Sequence, residues 1–80
     1  MEIKISELIL VNLTARKSEK TEKTYYNAIC IVNGYPVRVS CTEAFYNAFN
    51  KKLSEQKTLT LHGVEGKIAF YKEETRVTLL

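Results

Sequence analysis

The sequence contains no aspartate and no tryptophan, and it has a single histidine and a single proline. Most acid–base and metal sites draw on aspartate and histidine, so this scarcity argues against an enzyme. The one histidine, His62, has no cysteine or carboxylate pattern beside it, which favours a structural or exposed side chain. No combination of nucleophile, base and orienting group is visible, and we therefore expect neither catalysis nor a cofactor.

Cysteines and long apolar runs are equally scarce. The chain has two cysteines, Cys30 and Cys41, and no C-x-x-C or H-x-x-x-H spacing, so we expect no metal site. The longest unbroken apolar run covers residues 28–32, far short of the roughly 20 residues that span a bilayer. The first residues lack the basic and apolar regions of a signal peptide. We expect a cytoplasmic protein without a membrane partner.

The 80 residues suffice for one domain with a modest core, so a single domain is predicted over residues 1–80. Hydrophobic residues make up 45% of the chain and charged residues 26%, which is typical of a globular protein and not of a disordered one. The net charge of +3 permits nucleic-acid binding without requiring it. A chain of this size has little room for a deep pocket, and we expect no small-molecule substrate.

Apolar alternation predicts three strands in the first half of the chain. The first has a change of phase near Ser6 and Glu7, which indicates a bulge or bend. The polar run that follows it is expected to form an exposed loop. Asn33-Gly34 joins the second and third strands, because type I′ turns need positive φ at both central residues. The predicted segments are a strand over residues 1–14, a loop over 16–23, and strands over 24–32 and 35–41.

The Asn33-Gly34 turn fixes the pairing of the second and third strands, so that Cys30 opposes Val37. One face of this hairpin is nearly all apolar and is predicted to face the core: Tyr26, Ala28, Cys30, Val32, Tyr35, Val37, Val39 and Cys41. The other face is mixed, as a solvent or ligand face would be: Tyr25, Asn27, Ile29, Ile31, Pro36, Arg38 and Ser40. Cys41 lies four positions along from Cys30 in this register, so both thiols are expected to be free.

The hydrophobic period changes after residue 41. Apolar side chains then recur at three- and four-residue spacing, which predicts a helix over residues 43–52; the stripe consists of Phe45, Ala48, Phe49 and Leu53. Ser40 and Thr42 are the alternative N-caps. Residues 58–71 return to a strand bent at its glycines, or to a tight hairpin there. A polar turn at residues 72–74 precedes a last strand over residues 76–80, with Val77 and Leu79 expected to point inward.

Three strands, a helix and two further strands follow the order of an OB fold. The predicted fold class is therefore all-β with a small α content, a five-stranded OB-type barrel with one helix between the third and fourth strands. An SH3-like small barrel is the alternative, and it would not need that helix.

In OB folds the ligand usually lies across the second and third strands, between the loop after the first strand and the loop between the last two. The mixed face offers Tyr25 and Ile29 as stacking or apolar surface, and Asn27 for hydrogen bonding. Arg38 on the same face suits a phosphate, and single strands bind through such a combination of stacking and positive charge. Cations of the first loop would add electrostatic capture: Arg16, Lys17, Lys20 and Lys23.

Each of these candidates also has a structural explanation. Tyrosine and isoleucine are common on strand faces for packing alone, and a charged run such as residues 16–23 is most often a solvated loop. Tyr71, beside the last loop, is a further candidate for stacking. Glu73 and Glu74 in that loop would repel phosphate.

Five short segments are similar to one known family, in a patchy resemblance that extends over about half of the chain: Lys23-Thr24-Tyr25, Cys30-Ile31-Val32, Tyr35-Pro36-Val37-Arg38-Val39, Thr60-Leu61-His62 and Arg76-Val77-Thr78-Leu79. They resemble the strands of the single-stranded-DNA-binding proteins of filamentous phages, the gene V protein type. The resemblance implies a homodimer in which Tyr25, Tyr35 and one of Phe70 or Tyr71 stack on bases. Ile31 stands where that family has an aromatic residue, and the helix looks more like that of bacterial single-strand-binding OB-folds.

The predicted function is sequence-tolerant binding of single-stranded nucleic acid, DNA before RNA, on the face of the second and third strands. The resemblance further implies a part in DNA replication in a phage, plasmid or other mobile element. The alternative is an OB-fold module for protein–protein interaction or oligomerisation. In that case the mixed face is an interface and the charged loop has no ligand.

Overall fold

Five strands and one helix form the chain in the computed structural model, which describes residues 1–71 and 74–80. The elements are β1 (Glu2–Lys17), β2 (Thr24–Val32), β3 (Tyr35–Cys41), α1 (Glu43–Gln56), β4 (Leu59–Tyr71) and β5 (Glu74–Leu79). The strands make one closed sheet in the order β1-β2-β3-β5-β4, and β4 pairs with β1. Four of the strand pairs are antiparallel, and β3 with β5 is parallel. The predicted mostly-β chain with one helix is confirmed.

The β2–β3 hairpin has the predicted turn and register. Asn33 and Gly34 both have positive φ, at 52° and 81°, as a type I′ turn requires. Cys30 opposes Val37, and both strands have the predicted bounds. The division of this hairpin into two faces therefore holds.

β1 ends three residues later than predicted, at Lys17, and the loop after it is shorter. Arg16 pairs with Tyr25 and Lys17 with Thr24, so these two cations belong to a strand and not to the loop. The remaining loop, residues 18–23, is closed at its base by a hydrogen bond from the Ser18 N–H to the Lys23 carbonyl at 2.8 Å. The predicted strand ended where the apolar pattern of β1 ends. The strand continues beyond that point because polar residues also satisfy their backbone N–H and C=O groups by pairing with a neighbouring strand.

β4 is a single strand bent at Gly63, whose φ of 65° lies in the left-handed region. The pairing of β1 with β4 skips Gly63 and Ser6. On either side of this step the inward positions of β1 change parity, from half-buried Ile5 to buried Leu8. The predicted phase change near Ser6 is confirmed, and a hairpin within β4 is excluded. A separate bulge in β1 falls at Val11, where the register with β2 shifts.

The Oγ1 of Thr42, the residue before the helix, accepts a hydrogen bond from the Phe45 N–H at 3.1 Å, so Thr42 and not Ser40 is the N-cap. Phe45 and Leu53 are buried, but Ala48 is exposed. The buried stripe of the helix is therefore narrower than predicted. In the part of the chain described here, no helix is long and apolar enough to cross a membrane. The core consists of Leu8, Leu10, Leu13, Ala28, Cys30, Cys41, Phe45, Leu53, Leu59, Val64 and Leu79.

The two cysteines lie in this core as free thiols. Burial raises the pKa of both, and it raises the pKa of Cys41 to about 11, with a smaller contribution from the charge of Cys30. Neither thiol is therefore a nucleophile at neutral pH, because the thiolate is the reactive form.

Two residues predicted to face the core are exposed. Tyr35 keeps 73% and Val37 36% of its surface accessible. The reason is that β3 pairs with β5 only at Ser40 and Cys41, so within the described residues no strand covers the first half of β3. We call this region, residues 35–39 of β3 with residues 74–77 of β5, the open end. The opposite end, which leads into α1, is the helix end.

Candidate functional site

Two adjoining cavities lie on the outer side of β2, β3 and β5, and together they form a groove. The smaller, about 440 Å³, lies between β3 and β5 at the open end. The larger, about 930 Å³, extends past Tyr25 to the start of α1. Asn27, Ser40 and Arg76 line both cavities, so the groove is continuous from the helix end to the open end.

A row of polar side chains crosses the middle of the groove. Thr14 opposes Asn27, Asn27 opposes Ser40, and Ser40 opposes Thr78. Neighbouring strands lie about 4.8 Å apart, so the four side chains present hydrogen-bonding groups across about 14 Å of sheet. Among the described residues, the Asn27 and Ser40 side chains have no hydrogen-bond partner. Their donors and acceptors are therefore available to a ligand.

Tyr25 stands at the helix end of the groove with 51% of its surface exposed. Arg16 is its partner on β1, and directly opposed residues have Cβ atoms about 4.5–5.5 Å apart. A base stacked on the tyrosine would therefore lie next to a guanidinium. Tyr26, the next residue, points inward and packs on Tyr46 of the helix with ring centroids 5.0 Å apart. Burial, followed by the Glu43 carboxylate, raises the pKa of Tyr26.

Arg38 and Arg76 flank the groove at the open end. Ser40 pairs with Thr78 in a parallel register, so the residues two positions earlier, Arg38 and Arg76, stand beside each other across the smaller cavity. Sequence analysis missed Arg76. The signal for its direction was present, because Val77 and Leu79 were expected to point inward. Its position beside β3 depends on the β3–β5 pairing, which no local pattern reveals.

Two carboxylates also line the groove, Glu74 at the open end and Glu43 at the helix end. They balance the charges of Arg38 and Arg76. The groove itself is therefore close to neutral, and the excess of positive charge must come from residues around it. Arg16 and the lysines near the first loop are the nearest such residues along the chain.

The remaining predicted residues lie around the groove and do not line it. Ile29 is partly exposed on the outer side and opposes Arg38. Lys17 ends β1, and Lys20 and Lys23 lie in the exposed loop at residues 18–23. Tyr35 lies on the opposite side of the sheet from Tyr25. Tyr71 ends β4 and pairs through its backbone with Glu74, while its side chain and the predicted turn residues Lys72 and Glu73 lie outside the described residues.

Over residues 1–71 and 74–80, no three histidine, cysteine or glutamate side chains are grouped so as to hold a metal ion. His62 is exposed on β4. Comparison with protein-family models, with curated proteins and with solved structures finds no match for this chain.

Proposed function

We propose that the chain is an OB-type domain that binds single-stranded nucleic acid, DNA before RNA, in the groove on the outer side of β2, β3 and β5. The observation that carries the proposal is the exposed ring of Tyr25 on the wall of this groove, with Arg16 opposite it on β1. Single strands bind through aromatic stacking combined with positive charge that follows the backbone.

The OB assignment is supported by the order of the elements. Five strands close into one sheet, and the helix lies between the third and fourth strands, as in OB folds, whose ligand face includes strands 2 and 3. The helix end of the sheet is capped by Phe45 and Leu53. An SH3-like barrel would not need a helix between the third and fourth strands.

Charged groups and hydrogen-bonding groups have different roles along the groove. Because the groove is nearly neutral, capture depends on Arg16, Lys17, Lys20 and Lys23 at its margin, and stacking on Tyr25 follows. Asn27 and Ser40 then offer hydrogen bonds to bases or backbone in the middle of the groove. Arg38 and Arg76 hold a phosphate at the open end. Few phosphate contacts imply a modest dependence on salt.

A fluorescence titration with short single-stranded DNA and RNA oligonucleotides, at two salt concentrations, tests this function. Tyr25→Ala should weaken binding by about 5- to 150-fold, because one stacked base contributes about 1–3 kcal/mol. Tyr35→Ala is the matched control, since it removes an equally simple exposed ring from the other side of the sheet. The function is wrong if the parent protein binds neither oligonucleotide at low salt, or if both variants bind as the parent does.

The protein-interaction alternative is favoured by a different observation. Tyr35, Val37 and Phe70 expose apolar surface on the side of the sheet that faces away from the groove. An apolar interface would lose little affinity with added salt, whereas even a few phosphate contacts weaken measurably. The two functions therefore separate in the same titration, and because they use opposite sides of the sheet, one chain has room for both.

A further inference from the structure

A slot separates the edges of β3 and β5 at the open end. The parallel ladder between these strands begins only at Ser40 and Thr78. The smaller cavity of the groove, about 440 Å³, is lined by consecutive residues of both strands, 38–40 and 74–77. Consecutive strand residues point to opposite faces of a sheet, so a cavity that touches all of them reaches between the strand edges. We call this space, between residues 38–40 and 74–77, the edge slot.

Backbone groups of β5 point into the edge slot. The Leu80 N–H donates to the Glu65 carbonyl at 3.0 Å, which continues the β4–β5 register as a hydrogen-bonded pair. Hydrogen-bonded and non-hydrogen-bonded pairs alternate along an antiparallel ladder, so Thr75 and Leu79 direct their N–H and C=O groups away from β4. The Leu79 carbonyl accordingly accepts from the Thr42 N–H at 2.9 Å on the β3 side. Thr75 lies outside the β3–β5 ladder, so among the described residues its backbone groups have no strand partner on that side.

The two edges of the slot differ in their ability to pair with a further strand. On β3, Pro36 has no N–H to donate, and a proline on an edge strand discourages strand addition. On β5, residues 74–77 include no proline, and β4 already holds this stretch in an extended conformation from its other edge. An added strand would therefore hydrogen-bond to β5 and pack beside β3.

The charges beside the slot select the outward side chains of such a strand. Arg38 and Arg76 stand at the same level on the two sides of the slot, so an outward side chain between them meets two cations and should be acidic. The next outward position lies between Pro36 and Glu74. Because opposite charges on neighbouring strands attract each other, the side chain at this position should be basic.

The inward position between these two should be apolar. It lies between Val37 on β3 and Thr75 on β5, and Phe70 opposes Thr75 on β4. Val37 and Phe70 are both exposed, and among the described residues no charged side chain shares the inward side of the three strands at the open end. An apolar side chain inserted here would cover both of them. The slot thus fits an extended chain in which acidic, apolar and basic residues follow one another.

We propose that the edge slot binds an extended segment of a partner protein, which adds to β5 as an antiparallel strand with the order acidic, apolar, basic from N-terminus to C-terminus. Antiparallel pairing is the more stable arrangement, and β5 runs from Glu74 to Arg76, so the acidic residue comes first. Strand addition to a free sheet edge is a known mode of peptide recognition. Within this chain only Glu2-Ile3-Lys4 has that order with a large apolar residue, and β4 already pairs with it, so the segment comes from another protein.

A fluorescein-labelled peptide with blocked ends, Thr-Val-Glu-Val-Lys-Val-Thr, tests the edge slot by fluorescence polarisation with the full chain. It should bind with a Kd below about 1 mM. The reversed peptide, Thr-Val-Lys-Val-Glu-Val-Thr, has the same composition but places its lysine between the arginines, so it should bind at least about tenfold more weakly. Amide hydrogen exchange gives an independent readout. The Thr75 N–H should become protected when the first peptide binds, whereas the Arg76 N–H, which faces β4, should change little.

Thr75→Pro removes the N–H that faces the slot without removing a hydrogen bond to β4, so it should weaken binding of the first peptide about tenfold. Thr75→Ala keeps this N–H and is the matched control, and circular dichroism checks that both variants fold. If the proline variant does not fold, hydrogen exchange at Thr75 in the parent decides instead.

The proposal rests on a strand edge and does not require nucleic-acid binding. It is wrong if the parent does not bind the first peptide below about 1 mM, if the two peptides bind equally, or if the Thr75 N–H gains no protection. Equal affinities of the parent and a folded Thr75→Pro variant would overturn it as well. If an oligonucleotide binds and the peptide does not, Arg38 and Arg76 serve a phosphate alone, and the nucleic-acid function stands without the partner segment.

Discussion

At both the helix end and the open end, side chains alternate between the two sides of the sheet, but the inward side chains are buried only at the helix end. At the helix end, the inward residue Cys41 is buried and pairs with Leu79 of β5. At the open end, Tyr35 and Val37 occupy the same side of β3 and are exposed. Alternation therefore determines the side of the sheet on which a residue lies, while closure by a neighbouring strand determines whether that side is covered. The contrast predicts that substitutions at the two ends will affect different properties.

Stability should depend mainly on the helix end. Phe45 is buried beside Phe49, with ring centroids 4.9 Å apart, so Phe45→Ala should lower the free energy of unfolding by about 3–5 kcal/mol. At the open end, Tyr35→Ala should change it by no more than about 0.5 kcal/mol. Urea denaturation monitored by circular dichroism measures both, in dilute protein so that association adds nothing.

Such a loss is a large part of the roughly 4–12 kcal/mol expected for an 80-residue domain. Phe45→Leu serves where the alanine variant does not fold, and it should lose about 1–2 kcal/mol. Equal losses at positions 45 and 35 would show that the two ends are not distinct, and the open end would then belong to the core.

The buried thiol of Cys41 at the helix end should give stability a dependence on alkaline pH. The folded pKa of Cys41 is about 11, and an unfolded cysteine titrates near about 8.5. Since the folded pKa is raised, the stabilising contribution is complete below the unfolded pKa and is lost as pH rises from there through the folded pKa. The parent should lose on the order of 2 kcal/mol more than Cys41→Ala between about pH 8.5 and 11.

A thiol at the open end provides the comparison. The thiol introduced by Y35C stands on an exposed position, so it should titrate near the ordinary cysteine pKa and react with iodoacetamide at neutral pH, with reductant removed just before the assay. Cys41 in the parent should react only where the protein unfolds. Parallel pH–stability curves for the parent and Cys41→Ala would contradict the burial of this thiol.

The difference between the two ends also explains which features the sequence predicts. The β2–β3 hairpin was predicted to the residue because its determinants are local: Asn33-Gly34 requires one turn, and the turn sets the register. The helix was predicted from its apolar stripe for the same reason, while its N-cap was left open between Ser40 and Thr42. Its end at Gln56 was missed, since the last turn is polar and carries no apolar period.

Features that depend on distant pairing were not predicted. The exposure of Tyr35 follows from the short β3–β5 ladder, and the place of Arg76 beside Arg38 follows from the same ladder. Nothing within either segment records where two strands so far apart in sequence meet. The predicted face with Tyr25, Asn27 and Arg38 was correct in direction, whereas the groove across that face needed the third strand, β5.

The smallest expected effect separates the two ends of the groove. Arg38→Gln combined with Arg76→Gln removes two positive charges at the open end. Lys17→Gln combined with Lys20→Gln removes two near the helix end. Each lost phosphate contact should flatten the dependence of log K on log salt by up to about 0.7 for a single strand. Lys51→Gln combined with Lys52→Gln is the charge-matched control, because these exposed lysines lie on α1 and belong neither to the lining of the groove nor to its margin at residues 16–23.

Titrations with one oligonucleotide at several salt concentrations measure the slopes, and none of the six positions is buried, so stability should stay within about 0.5 kcal/mol of the parent. If both groove pairs flatten the slope and the helix pair does not, the strand runs the length of the groove from Tyr25 to Arg76. A change confined to the pair Lys17 and Lys20 would mean that the ligand contacts the helix end of the groove alone. The negative charge of Glu74 would then neutralise the arginines at the open end. Equal changes in all three pairs would mean that only net charge attracts the nucleic acid, and the groove would have no part in binding.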